Sequence, residues 1–278
     1  MYEQYWNLKE KPFQNSLDPR FFYFSPQHED ALMKLTYVVA QNLGAGLLTG
    51  VFGCGKTFLA RFIARDLGMQ RFCFAFINNP FLQPEELLRA IVRSLSPQPL
   101  PEKKSELLID PLLEKLYNIL VDNVREGKEN VIIVDEAHII EDPRVFEQLR
   151  LILNFQSEER FLLTLLVLGQ PELKSKIDAL KPLSQRIPIR CQLEPLGEGD
   201  TAKYIEHRIK VASDNSLSEK ITSLLNQEVI NVIFKATGGI PRKINTLCDL
   251  ILLSGFAKKI SVINVDFVNS VIKEFGIS

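Results

Sequence analysis

An α/β fold with a parallel central sheet, followed by a smaller all-helical domain, is what the sequence predicts, and three observations carry that reading. Residues 131–134 form a continuous apolar run and 162–168 one interrupted only by Thr164, the pattern of strands covered by helices on both faces and so of the middle of a parallel sheet. Short apolar runs alternate with longer amphipathic stretches as far as Pro195, which is the rhythm of strand and helix in turn. Beyond Pro195 only helical periodicity remains.

Taken from the N-terminus, Ser25 and Pro26 followed by Glu29 and Asp30 open a helix that runs to about residue 42. A hydroxyl cap, a proline in the first turn and acids at the positive helix end all favour that start. Residues 46–50 read as a short buried strand, then a glycine-rich turn, then a helix over 56–67, and residues 72–77 as a second strand. Pro84, Glu85 and Glu86 start a helix that ends in the proline-rich segment 96–101, and a further helix near 112–125 leads into the strand at 131–134. In the C-terminal part, 201–212, 218–236, 241–257 and 265–275 read as helices.

Composition bounds the function. The 278 residues suffice for one large domain or two small ones, and 46% hydrophobic with 24% charged residues is ordinary for a globular chain. With 33 Lys and Arg against 34 Asp and Glu, net charge gives no general surface for a polyanion. No apolar run approaches the roughly 20 residues that span a bilayer, and residues 1–6 have no signal-peptide pattern. A cytoplasmic protein is therefore expected. The 4 cysteines, Cys54, Cys73, Cys191 and Cys248, lie far apart, so neither a zinc site nor a disulfide framework is expected.

The chemistry is concentrated in a few motifs. Gly50-Val51-Phe52-Gly53-Cys54-Gly55-Lys56-Thr57 fits G-x-x-x-x-G-K-[ST] between a strand and a helix, the context that a phosphate-binding loop requires. Gly50, Gly53, Cys54 and Gly55, with Phe58 opening the helix, are expected to present backbone N–H groups to phosphate. Lys56 would reach the β and γ phosphates, and Thr57 would ligate magnesium. The strand at 131–134 ends in Asp135 and Glu136. Asp135 would hold magnesium and Glu136 would deprotonate the attacking water. A structural glycine turn and a solvated acidic turn are the plain alternatives, but the two motifs together favour a nucleoside triphosphatase.

Asp135-Glu136-Ala137-His138 also occurs in helicases, but those need tandem motor domains, for which this chain has no room. His138 is either a sensor of nucleotide or partner or an ordinary loop residue. Gln170, after the next apolar run, is placed to bond the attacking water or γ phosphate, with helix capping as its alternative. Arg186, in the basic stretch 183–190, is an arginine-finger candidate for a neighbouring subunit's ATP, and Arg242, which opens a C-terminal helix, is a candidate to reach the nucleotide. Surface ion pairing and a helix-end charge are their respective alternatives.

In this order the motifs resemble those of an AAA+ ATPase. Leu8-Lys9-Glu10-Lys11-Pro12-Phe13, then Leu17-Asp18-Pro19-Arg20-Phe21-Phe22-Tyr23, then Ser25 to Leu32 are similar to the opening of the ExeA/GspA group. The likeness continues through Asp135-Glu136-Ala137, Gly169-Gln170-Pro171-Glu172-Leu173, Gln185-Arg186-Ile187 and Gly239-Ile240-Pro241-Arg242. That group serves general secretion, MSHA pilus biogenesis and exosortase or exopolysaccharide loci. The resemblance implies a P-loop NTPase three-layer sandwich over residues 1–195, including an N-terminal extension, and a helical lid over 196–278.

It also implies ATP and magnesium as ligands, a homo-oligomeric ring or filament, and a cell-envelope machine as partner, with the protein cytoplasmic or peripheral at the inner membrane. Longer members add a transmembrane helix and a periplasmic peptidoglycan-binding domain, so the sequence is expected to be a short member or part of a longer chain. His138 stands where the group often has Gln, and Phe58 where a second Thr is common. Nucleotide binding carries over; partner sensing does not. The alternative is a DNA-binding AAA+ regulator of transposition, which would need the scattered pairs Lys103-Lys104, Arg242-Lys243 and Lys258-Lys259 to converge in space.

Overall fold

The computed structural model describes residues 1–78, 81–96, 108–157, 160–213 and 219–277. The chain forms two compact units, His28–Leu193 and Met1–Gln27 with Glu194–Ser278. The first unit is α/β. Its strands are β1 (Ala45–Gly50), β2 (Phe72–Ile77), β3 (Glu129–Val134), β4 (Leu163–Gly169) and β5 (Ile189–Leu193). They form one five-stranded sheet in the order β2-β3-β4-β1-β5, with every pair parallel.

The strand pattern sets the layers. Because side chains alternate along a strand, Ile132 and Val134 join one apolar cluster while Val131 and Ile133 join another. The first cluster is covered by α3 (Pro84–Leu95), α4 (Ile109–Arg125) and α5 (Pro143–Ile152), the second by α1 (Pro26–Ala40) and α2 (Lys56–Leu67). This is the expected three-layer sandwich. Complete burial of each such side chain contributes about 1.5–3 kcal/mol, and the middle strands are buried on both faces.

Register then places the loops. Val134 pairs with Ile77 on one side and Val167 on the other, and Thr49 pairs with Gly169. The carboxyl ends of β1 and β4 therefore lie nearly level, with that of β3 two residues short of the end of β4, and the segments after them emerge along one edge of the sheet. Strand order reverses at β1, and that is where open parallel sheets bind ligands.

Sequence reading and structure agree closely for α2, β2 and, in the other unit, the helix Pro241–Ala257. The edge strand β5 was not expected, because Arg190 and Gln192 are exposed and only Cys191 and Leu193 are buried within it; half of such a strand reads as polar surface. Two short helices, α6 (Glu172–Ala179) and α7 (Lys181–Ser184), precede it. The proline-rich segment 96–101 lies outside the described residues beyond Ser96.

The second unit holds α8 (Glu198–Ala212), α9 (Glu219–Thr222), α10 (Gln227–Thr237), α11 (Pro241–Ala257) and α12 (Val265–Phe275). The single helix expected over 218–236 is broken, because the Asn226 side chain accepts from the Glu228 N–H at 2.8 Å and caps a new helix there; residue 218 lies outside the described residues. A larger correction concerns the N-terminus. Residues 1–27, assigned by sequence to the α/β part, belong to this helical unit.

The reason is burial. Tyr2, Trp6, Leu8, Phe13 and Phe21 join the helical core, and Trp6 Nε1 donates to Leu252 O at 2.9 Å. Gly255 makes room for that indole, since a Cβ there would come within 2.7 Å of Trp6 Cζ2. Buried Arg208 donates from Nε to Pro12 O and from Nη2 to Gln14 O, at 2.5 and 2.7 Å.

Candidate active site

The phosphate-loop motif sits where β1 turns into α2. Gly50 ends β1 against β5, where a Cβ would approach Leu193 O to 2.6 Å, so a side chain is sterically excluded. Gly53 and Gly55 adopt φ of 89° and 96°, left-handed values that glycine takes without cost. Cys54 lies between them, with its N–H directed to Val51 O at 3.3 Å. The loop thus turns sharply into α2, and the unpaired N–H groups at a helix start make an anion site.

Lys56 is buried and donates to Gly50 O at 2.8 Å and Val51 O at 3.2 Å. Burial lowers its pKa from the ordinary lysine value, and the carboxylates of Glu136 and Asp135 oppose that shift. A cation held by carbonyls in a half-dry loop is well suited to meet phosphate oxygens.

Across the edge, Thr57 Oγ1 donates to Asp135 Oδ2 at 2.5 Å. The other oxygen of that buried carboxylate, Oδ1, accepts from the Glu136 N–H at 2.8 Å, and the Asp135 N–H continues the sheet to Ile77 O at 2.9 Å. Among the described residues no group of three or more His, Cys, Asp or Glu is arranged to hold a metal ion. One hydroxyl beside one carboxylate instead fits magnesium, which is commonly held by one or two carboxylates, waters and the phosphates of a substrate.

Glu136 has φ 53° and ψ 30°, a left-handed conformation that costs a non-glycine residue about 1 kcal/mol or more. This conformation turns the chain between Asp135 and the short 3-10 segment Ala137–Ile139. His138 follows in that segment. Its Nε2 accepts from the Gln170 amide at 2.9 Å, so the ring proton lies on Nδ1, and Glu136 Oε2 stands 3.4 Å from that atom. Lys176 Nζ holds the same turn from α6, donating to His138 O at 2.5 Å and Ile140 O at 2.8 Å. Gly169 lets the turn close, since a Cβ there would meet His138 N at 3.1 Å and Leu173 Cδ2 at 2.7 Å.

The structure therefore brings together Gly50, Gly53, Cys54, Gly55, Lys56, Thr57, Asp135 and Glu136, with Gln170 joined to them through His138. Phe58 belongs to the same helix start, but its ring stacks on Phe62 with centroids 6.4 Å apart. Arg186 is elsewhere. Its carbonyl lies 3.5 Å from the Cβ position of Gly44, just before the opposite end of β1, about 20 Å from Gly50 at about 3.3 Å per residue. Arg242 is exposed in the first turn of α11, in the helical unit. Two contributors escaped the sequence reading: Lys176 and His28, whose Nε2 donates to Cys54 O at 2.9 Å.

A P-loop between β1 and α2, an acidic pair just after strand β3 and this strand order define a nucleotide-binding P-loop protein of the AAA class. The AAA domain family matches residues 15–177, and the chain belongs to that family. Within it, the chain is 36% identical over 264 residues to General secretion pathway protein A of Aeromonas hydrophila, which bears out the ExeA/GspA-type resemblance of its motifs. The match covers 93% of this chain and 45% of that protein, so the chain spans less than half of the relative's length.

Solved structures share the fold. The Aeropyrum pernix ORC2 protein, in ADPNP and ADP complexes, superposes with a TM-score of 0.70 at 17% identity over 96% of this chain and 71% of that one. Drosophila ORC bound to DNA gives 0.71 at 15% over 100% and 67% of the two chains. Among the described residues no helix is long and apolar enough to cross a membrane.

Proposed function

We propose that the chain binds and hydrolyses ATP with magnesium, and that the cycle drives a secretion-related machine of the cell envelope. One observation carries the chemistry: Thr57, at the start of α2, is hydrogen-bonded to Asp135 at the end of β3, beside buried Lys56. In this reading the N–H groups of Gly53 and of residues 55–58 bind phosphate oxygens while that of Cys54 stays on Val51 O, and Lys56 exchanges its carbonyl partners for the β and γ phosphates. Thr57 and Asp135 hold magnesium, which neutralises charge developing on the β and γ oxygens. Glu136 accepts the proton of the attacking water. The His138 ring, fixed by Gln170, stands with Nδ1 3.4 Å from the Glu136 carboxylate.

Arg186 lies too far along the sheet to reach its own subunit's loop, so an arginine finger there requires a second copy of the chain. A ring or filament supplies that geometry. The likeness to General secretion pathway protein A supports an envelope machine as partner, with the chain cytoplasmic or peripheral at the inner membrane. Pilus or exopolysaccharide assembly are members of the same class of task.

The DNA-binding alternative is not favoured. Arg242-Lys243 and Lys258-Lys259 flank the two ends of α11, a helix of 17 residues and so about 25 Å long, and Lys258 is paired with Glu274. Lys103-Lys104 lies outside the described residues. ATP hydrolysis by the wild type and Lys56→Ala, with magnesium and with EDTA, tests the proposal. Turnover is expected only in the wild type with magnesium; undiminished hydrolysis by Lys56→Ala would overturn it.

A further inference from the structure

We propose that His28 is a positioning residue that sets the peptide plane at the centre of the phosphate-binding loop, an inference that rests on the nucleotide reading of that loop. His28 lies in the first turn of α1, on the inward face shared with Ala31 and Leu35. It is 3% exposed. Its Nε2 stands 2.9 Å from Cys54 O, and a carbonyl oxygen only accepts, so Nε2 carries the proton. The ring is thus a committed donor, reaching from one element into the middle of another.

The peptide it grips matters because of planarity. The Cys54 carbonyl and the Gly55 N–H belong to one trans peptide and point in opposite directions. Holding the oxygen inward toward His28 therefore turns the Gly55 N–H outward, toward the side on which the α2 N-terminus binds an anion. Gly53 and Gly55 on either side are both left-handed glycines, the residues with the least steric restriction, so neither brings a side chain that fixes that plane. The Cys54 N–H is tied to Val51 O; His28 fixes the other end of the residue.

An apolar residue would fill this position, on the buried face of α1 with Ala31 and Leu35. What it would not supply is the donor. The test is titration of wild type, His28→Leu and His28→Gln with ADP and with inorganic pyrophosphate, in magnesium, together with melting curves without ligand. His28→Leu is expected to weaken both ligands by the same factor, about tenfold, as befits one lost hydrogen-bonded restraint on a phosphate donor. His28→Gln, whose amide nitrogen reaches about as far as Nε2, is expected to stay within about threefold of wild type.

Wild-type affinity in His28→Leu, or equal weakening in the Leu and Gln variants, would overturn the assignment. Should His28→Leu not fold, His28→Asn takes its place: the shorter amide is expected to bind about tenfold more weakly than Gln, and equal binding by the two would overturn the proposal. A wild type that binds neither ADP nor pyrophosphate would instead overturn the reading of the loop itself.

Discussion

The two compact units are held together by different kinds of information. In the α/β unit the chemistry is strung along short stretches of chain: β1, the glycine loop and the start of α2 are continuous, and Asp135 and Glu136 end one strand. The helical unit is closed by its distant ends. The Tyr2 hydroxyl bonds Asp249, Tyr5 Oη donates to Ile260 O at 2.7 Å, and Trp6 reaches Leu252 O. One unit places reactive groups by local turn geometry. The other gains its stability from a clip of N-terminal aromatics, and the difference predicts which substitutions harm chemistry and which harm folding.

The largest effect is expected in the clip. Trp6 is wholly buried, so Trp6→Ala leaves a cavity and removes the indole's hydrogen bond to Leu252 O, and should cost about 3–5 kcal/mol in unfolding experiments. Below its melting temperature the variant should bind ADP as the wild type does. An intact unfolding midpoint with lost ADP affinity would break the comparison.

The reverse is expected of Glu136→Gln. The amide keeps the size of the side chain but cannot accept the proton, so ATP turnover should fall by about a hundredfold or more while ATP binding persists. The unfolding midpoint should not move, because the left-handed turn is retained. Loss of binding and turnover in equal measure would make Glu136 a structural residue and blur the division between the units.

The same contrast explains what was legible in the sequence. The motif residues 50–57 and Asp135 were readable because their geometry is dictated by neighbours in the chain, and α11 because Pro241 stands at its first position. His28 was not, since its partner lies 26 residues away on another element and its own neighbours suggest only a helix start. The N-terminal clip was missed for the same reason: periodicity says that Trp6 and Phe13 are apolar, not which core they enter. Arg186 was identified as a guanidinium near the end of the α/β part, but only the register of β1 shows that it lies at the far edge of the sheet.

The smallest effect sharpens the comparison through pH. His207, on α8, donates from Nε2 to Arg20 O at 2.9 Å, another tie between the N-terminal segment and the helices. Burial lowers its pKa below the usual histidine value; the hydrogen bond to Arg20 opposes that shift, and the charges of Arg208 and Lys210 add to it. A proton therefore binds the unfolded chain more readily than the folded one. The stability tied to neutral His207 is complete above the unfolded value of about 6.5 and is lost as pH falls from there through the lower folded value. His207→Gln keeps a donor of similar reach and removes the titration. Melting curves from pH 7.5 to 5 should fall more steeply for the wild type than for this variant, while the carboxylates, common to both, cancel in the difference. Parallel curves would show that the clip at Arg20 does not sense the proton.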